Sequence, residues 1–332
     1  MAEIPVPAAI EPDPDKKVYL LRPRGFCAGV VRAIDIVELA LEAYGAPIYV
    51  RREIVHNRYV VEDLAGRGAI FVEELGEAPS GARVIYSAHG VSPEVREQAR
   101  SRGLRVIDAT CPLVTKVHAE AIRFAKRGGT ILLIGHRDHD EIIGTSGEAP
   151  AQTIVVSSVE EARHLEVPDP NNLFYLTQTT LSLDEAGEII TALRQRFPAI
   201  QGPPAQDICY ATENRQQAVK RRVADCDLLL VVGSQNSSNS RRLVEVGGNA
   251  GVEGHLIDDE QDIRAEWLEG ARTVVITAGA SAPEVLVERV VDHLCQRYGF
   301  GSVEEVEVIP EDVKFPLPSE LAKFQITQIA NV

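Results

Sequence analysis

The chain has 332 residues, 45% hydrophobic and 25% charged, and its 34 basic and 49 acidic side chains leave a formal net charge of −15. A chain of this size and apolar content can bury a large core, divided into two or three domains. Its acidic field excludes a general nucleic-acid or membrane-surface binder, because counterion release needs a basic face, so any anionic ligand must be held by local donors.

Residues 1–17 carry four prolines among acidic side chains, with neither the apolar core of a signal peptide nor the arginine-rich character of a transit peptide. They are expected to form a mobile extension. No apolar run approaches the length of a bilayer span, so no membrane partner is expected. From residue 18 onward, short apolar runs at 18–21, 84–86, 106–107, 131–134, 173–176, 228–232 and 274–276 alternate with helix-like patterns. That alternation predicts an α/β protein with parallel sheets built from β-α units.

Five of these runs are followed by small, polar segments: Ser87-Ala-His89-Gly90, Gly135-His136-Arg-Asp-His139, Thr177-Gln-Thr179-Thr180, residues 233–240, and Thr277-Ala-Gly279-Ala-Ser281. Ligands of open α/β sheets bind at the carboxyl ends of strands, so these five ends predict a central polar cavity. Residues 233–240 offer hydroxyls and amides ahead of a helix, a composition that suits an oxyanion or phosphate. The same run also fits a solvated loop that caps the helix. There is no Walker A motif, and no Gly-x-Gly-x-x-Gly follows an early strand, so nucleotide binding is not expected. Beyond Gly301 the chain reads as a surface tail, in which segments 303–309 and 324–329 are short enough to pair or dock.

Three of the five cysteines, Cys27, Cys111 and Cys209, fall in different thirds of the chain, each directly before a helix-like pattern. Thiolates bind metal, and a helix N-terminus favours the thiolate. Val30, Ile34, Val37 and Leu41 follow Cys27 on one face; Pro112, favoured at a first helical position, follows Cys111. After Cys209, Thr212 is expected to cap and Ala218, Val219 and Val223 to pack. The spacing is too wide for a local zinc ribbon or redox loop, so only tertiary folding could join the sulfurs. Two readings stay open on these residues: one shared metal centre, or three unrelated buried cysteines. Cys226 and Cys295 read as core filler. An odd cysteine count without a secretory signal points to reduced thiols and a cytoplasmic location.

His56, His89 and His139 lie just past apolar segments, where they could donate to an anion or carry protons. His118, His164, His255 and His293 read as structural or solvated, and His136 is left open.

Eight strings in order resemble one family: Pro23-Arg-Gly-Phe-Cys-Ala-Gly29, Val55-His-Asn-Arg-Tyr-Val60, Ser87-Ala-His-Gly-Val91, Asp108-Ala-Thr-Cys-Pro-Leu-Val-Thr-Lys-Val-His118, Thr177-Gln-Thr-Thr-Leu-Ser182, Asp207-Ile-Cys-Tyr-Ala-Thr212, Val231-Val-Gly-Ser-Gln-Asn-Ser-Ser-Asn-Ser240 and Thr277-Ala-Gly-Ala-Ser-Ala-Pro283. Over about residues 18–298 the chain is similar to the 4-hydroxy-3-methylbut-2-enyl diphosphate reductase family, which closes the methylerythritol phosphate route to isoprenoids. The resemblance implies three similar small parallel-sheet α/β domains in a pseudo-threefold arrangement around a central cluster cavity. The segments would be an extension (1–17), a first strand and cysteine packing with the third domain (18–28), three domains (29–111, 112–207, 208–298) and a tail (299–332).

It further implies that Cys27, Cys111 and Cys209 hold one 4Fe–4S cluster per chain, with three thiolates leaving one iron open. The substrate's allylic hydroxyl would bind that iron, two electrons and two protons would enter, and water would leave, giving isopentenyl or dimethylallyl diphosphate. By the same resemblance Glu141 provides protons, Thr179 completes the relay, and His139 and Thr180 line the pocket. The diphosphate would be held by His56, His89, His139, Ser237, Ser238, Asn239 and Ser281, and a ferredoxin or flavodoxin would supply electrons. One departure stands out: the family commonly has His-Pro-Glu, whereas this chain has His139-Asp140-Glu141. Aspartate restores a backbone N–H, frees φ and adds a negative group beside the acid. A non-redox phosphate-binding or phosphoryl-transfer protein, with a structural zinc or plain buried cysteines, is the alternative; colour separates the two, since an iron–sulfur protein is brown.

Overall fold

The computed structural model describes residues 11–330, with side chains to residue 325. Its strands are β1 (Asp13–Arg22), β2 (Ile48–Arg51), β3 (Ala69–Val72), β4 (Arg83–Tyr86), β5 (Arg105–Asp108), β6 (Thr130–Ile134), β7 (Thr153–Val156), β8 (Leu173–Thr177), β9 (Leu228–Val232), β10 (Gly254–Ile257), β11 (Thr273–Ala278) and β12 (Phe300–Glu307). The helices are α1 (Ala28–Tyr44), α2 (Arg58–Gly66), α3 (Pro93–Ser101), α4 (Pro112–Lys126), α5 (Asp140–Ser146), α6 (Val159–His164), α7 (Leu183–Arg196), α8 (Tyr210–Arg222), α9 (Ser238–Asn249), α10 (Glu284–Tyr298) and α11 (Ser319–Ala330). None among the described residues is long and apolar enough to cross a membrane. The chain divides into two compact units, one of residues 11–26 with 214–311 and one of residues 27–213 with 312–330.

The first unit is built on a five-stranded parallel sheet in the order β10-β9-β11-β1-β12. Strand β9, paired on both sides, is a run of five buried aliphatics. Leu228, Leu230 and Val232 face a core with Val287 and Leu294 of α10, while Leu229 and Val231 face Val219 and Leu243 on the other side. Helices on both faces explain why such a strand reads as continuously apolar instead of alternating.

Two expectations for the chain ends need correction. Strand β1 begins at Asp13, so residues 13–17 are part of the sheet and not of an extension; residues 1–10 lie outside the described residues. Asp13 pairs with Phe300 and Lys17 with Ser302, with a register shift between them where Pro14 lacks an N–H. The side chains at 13–17 are mostly exposed, so backbone pairing without burial left no hydrophobic signal. The tail does more than lie over the surface: the expected pairing of 303–309 is realised as β12, which starts earlier, at Phe300, and α11 belongs to the second unit, where Leu321 is fully buried.

The second unit contains a four-stranded parallel sheet, β3-β2-β4-β5, and a three-stranded one, β7-β6-β8. With the five-stranded sheet these make three small parallel sheets, the α/β class the alternating pattern predicts. Several connections in this unit leave the carboxyl end of a strand: β2 leads to His56, β4 to His89, β5 to Cys111, β6 to Glu141 and β8 to Thr179.

Candidate metal centre and anion site

Cys27 and Cys111 occupy the position immediately before α1 and α4, and Cys209 immediately precedes α8. The first turn of the helix that follows each of them carries N–H groups with no carbonyl partner within that helix. At Cys209 the acceptor for these donors is the sulfur itself, which takes the Thr212 N–H at 3.3 Å and lies 3.1 Å from the Thr212 hydroxyl. Thr212, expected to cap, is instead the residue whose N–H is capped.

The three sulfurs gather in one place. A Cβ on Gly29 would sit 2.7 Å from Cys111 Sγ and 3.8 Å from Cys27 Sγ, so the missing side chain leaves room for both. Burial pushes the Cys111 thiol up to about 12, and the charges of Cys27 and Cys209 add to that, partly offset by the N–H groups of Leu113 and Val114. None of the five cysteines is in a disulfide. Three half-buried thiols that repel one another as thiolates, over helix N-termini and a side-chain-free glycine, are a donor set that a cationic iron–sulfur group fits.

Hydrogen bonds tie this trio to its surroundings. Cys111 N–H donates to Ala88 O at 3.0 Å, and Cys209 N–H donates to Thr179 O at 3.0 Å. Tyr210, beside Cys209, accepts the Ala28 N–H on its hydroxyl at 3.2 Å, linking the starts of α8 and α1.

Glu141, in the first turn of α5, is 2% exposed. Its Oε1 accepts the Thr179 N–H at 2.7 Å, and the Thr179 hydroxyl donates to Oε2 at 2.8 Å. Burial raises its carboxyl to about 7; the two Thr179 hydrogen bonds pull it down and nearby Asp207 pushes it up. A carboxyl poised there is half protonated near neutrality and can act as an acid. On the same loop Thr180 Oγ1 accepts from Gln178 Nε2 at 2.8 Å.

The three sequence-selected histidines converge. His56 and His89 stack with ring centroids 4.0 Å apart and planes within 17°, and His139 meets them edge-on at 5.5 and 5.9 Å. For His139 a backbone contact fixes which nitrogen carries the proton. His139 Nδ1 accepts the Glu141 N–H at 3.1 Å, which leaves the proton of the neutral ring on Nε2. His56 Nδ1 lies 3.0 Å from Glu53 Oε2, and His89 Nδ1 lies 3.3 Å from Ser87 Oγ. Burial holds His89 well below the usual imidazole range and His139 down at about 3, each reinforced by its histidine neighbours.

His56, His89 and Asp140 also offer ligand atoms within 4.8 Å of one another. Near-parallel stacked rings direct their nitrogen lone pairs side by side, whereas metal ligands must converge on one point. Asp140, moreover, is ion-paired to Arg52. The arrangement suits an anion with several oxygens better than a cation.

The first unit presents a donor set of its own. Ser237 caps α9, its hydroxyl accepting the Ser240 N–H at 3.3 Å, and Asn239 Oδ1 accepts the Ala280 N–H at 2.9 Å, which joins this loop to the one carrying Ser281. Ser237, Ser238, Asn239 and Ser281 are all buried. A Cβ on Gly279 would meet Ser240 Oγ, so glycine permits this close approach.

Sequence reasoning overlooked Gly29, Tyr210, Glu53 and Arg52 as parts of these sites. Gly29 and Tyr210 each adjoin a ligand-like cysteine or its immediate neighbour in the chain, a signal that was readable; the partner of Arg52 was not.

A family model described as LytB protein matches residues 18–295. A Bordetella pertussis protein named 4-hydroxy-3-methylbut-2-enyl diphosphate reductase is 57% identical over 309 residues, 93% of this chain and 95% of its own. A protein of the same name from Acidothermus cellulolyticus is 55% identical over 94% of this chain and 92% of its own. Among solved structures, the E-1-hydroxy-2-methyl-but-2-enyl-4-diphosphate reductase of Plasmodium falciparum superposes with a TM-score of 0.91 at 41% identity, covering 95% of this chain and all of that one.

Proposed function

The chain belongs to the LytB protein family, and from that premise we propose that it reductively dehydrates 4-hydroxy-3-methylbut-2-enyl diphosphate to isopentenyl diphosphate and dimethylallyl diphosphate. The observation that carries this reading is the meeting of three cysteine sulfurs with a nearby carboxyl, Glu141, held at about 7 and bound to the same Thr179 whose carbonyl anchors Cys209. Cys27, Cys111 and Cys209 would hold a 4Fe–4S cluster through three thiolates. When bound, that group supplies the two electrons and a Lewis-acidic iron with an open position.

The protein's own residues then have three tasks. His56, His89 and His139 hold the diphosphate, donating ring N–H groups to a charged acceptor, where hydrogen bonds are about twice as strong as neutral ones. We assign Ser237, Ser238, Asn239 and Ser281 to the same ligand class on the chemistry of their donors, and Thr180 to the pocket lining. Glu141, at about 7, carries a proton on about half of its carboxyls at neutral pH, and Thr179 Oγ1, bonded to Oε2, extends the proton path. The balance requires one C–O bond to break, the carbon fragment to take two electrons and one proton, and the departing hydroxide to take the second proton as water. Protonation at either end of the allylic fragment accounts for two products. We infer a one-electron carrier of the ferredoxin or flavodoxin type as the donor, and a reducing compartment such as the cytoplasm, in keeping with five free thiols.

The test is anaerobic purification with iron and sulfide analysis, followed by incubation with the allylic diphosphate and a low-potential reductant. A brown protein that forms both diphosphate products is the expected result. A colourless protein that takes up zinc in place of iron and sulfide, or a brown one that leaves the substrate unchanged, overturns the assignment.

A further inference from the structure

Arg52 directly follows β2 and is the single non-glycine among the described residues with a left-handed backbone, at φ 57°. That conformation is costly for a side chain with a Cβ and persists where the surroundings impose it. Here its N–H is pinned to Val72 O at 2.7 Å, and its guanidinium, mostly buried, reaches from the four-stranded sheet to Asp140 on the three-stranded side. The other Asp140 oxygen lies 3.9 Å from His89 Nδ1, which puts the ion pair at the edge of the histidine cluster.

Two further details argue against a purely structural pair. Arg52 Nε is buried without a hydrogen-bond partner, 4.0 Å from a carboxylate oxygen of the largely exposed Glu73. The guanidinium therefore has an unused donor. His89 and His139 stay neutral when no ligand is present, so they offer dipoles but no charge. An arginine stays charged at any physiological pH and matches phosphate oxygens with a fork of donors.

We propose that Arg52 is a diphosphate-binding residue, held at rest by Asp140 and shared with or transferred to a phosphate oxygen when the ligand enters between His56, His89 and His139. This rests on the reading that those histidines hold the diphosphate. It gives an acidic protein one fixed positive charge where the ligand's negative charge arrives, and it makes Asp140 a competitor for that charge.

The two residues therefore have opposite signs in a binding experiment. Holoenzyme carrying Arg52→Gln, Arg52→Lys, Asp140→Asn or the Arg52→Gln/Asp140→Asn pair is titrated with inorganic diphosphate by calorimetry, and kcat and KM for the allylic diphosphate are measured beside it. Arg52→Gln weakens diphosphate binding and raises KM about 10- to 100-fold, as expected for a lost hydrogen bond to a charged group, while kcat changes by less than about threefold. Arg52→Lys recovers part of the affinity, and Asp140→Asn tightens binding. If Arg52→Gln and Asp140→Asn weaken binding alike, and the pair is no worse than either, the ion pair is only a brace between the sheets and the proposal is wrong. Unchanged diphosphate affinity in Arg52→Gln overturns it too. Should Arg52→Gln fail to fold, the sign of the Asp140→Asn effect alone decides. A wild-type protein that binds diphosphate but does not turn over the allylic substrate defeats the reductase reading and leaves this one standing.

Discussion

Replacing Glu141 by Gln separates the acid's chemistry from its place in the fold. The carboxyl sits at about 7 against an ordinary 4.5, so the folded chain binds this proton more tightly than the unfolded chain does. Its stabilising effect is complete below the unfolded value and is lost as pH rises through the folded one. A difference of that size, at about 1.4 kcal/mol per pH unit, makes the folded state about 3 kcal/mol less stable at pH 8 than at pH 4 through this group alone. The amide has the same shape: its oxygen still accepts the Thr179 N–H, and its NH2 can donate to Thr179 Oγ1. Asp207, which burial also pushes up, is present in both proteins and cancels in their difference.

Urea unfolding of both proteins under anaerobic conditions at several values between pH 5 and 8 measures this directly. The wild type should lose ground to the variant steadily across the range, by about 2 to 3 kcal/mol in all. Turnover is expected to fall about 100- to 10,000-fold in the variant with iron content unchanged, and to decline above about pH 7 in the wild type. Stability curves that run parallel over the whole range, or a variant keeping most of its turnover, refute the assignment of the proton to this carboxyl.

Further outcomes follow from the other buried features. In Gly29→Ala the new methyl would stand 2.7 Å from Cys111 Sγ, so iron bound per chain should drop while circular dichroism shows a folded protein, at a cost of about 1 to 3 kcal/mol. Cys111→Ser should lose iron likewise, whereas Cys226→Ser and Cys295→Ser should bind as much as the wild type by the same analysis. Arg215 is fully buried, donates to Gly25 O at 2.7 Å and pairs with Glu311, so Arg215→Ala leaves a partly buried carboxylate uncompensated. A loss of about 3 to 5 kcal/mol in urea unfolding is expected, with Arg215→Lys intermediate.

How much of this was legible depends on whether the information is local. β9 announced itself because five consecutive aliphatics can be buried together only in a sheet covered on both faces. The histidines and cysteines were legible for a related reason, since each follows a strand-like run or precedes a helix-like one, and parallel sheets bring such positions to one edge. Residues 13–17 were not, because their contribution is backbone pairing with exposed side chains. The Cys209 cap escaped notice because sulfur is not among the usual capping acceptors. The Arg52–Asp140 pair joins two sheets, and no spacing in the chain encodes which cation will meet which carboxylate.

Backbone hydrogen bonds join the cysteine loops to the histidine cluster and to the partner of Glu141. Cys111 N–H is bonded to the carbonyl just before His89, and Cys209 N–H to the carbonyl of the threonine that holds Glu141. A shift of either cysteine loop is therefore passed on to His89 or to the Thr179 that binds Glu141. Geometry at the reacting atoms matters on the scale of about an ångström. Short backbone tethers of this kind keep the cysteine trio, His89 and the Glu141 carboxyl in register without any long-range attraction, which a chain of net charge −15 could not offer an anionic ligand.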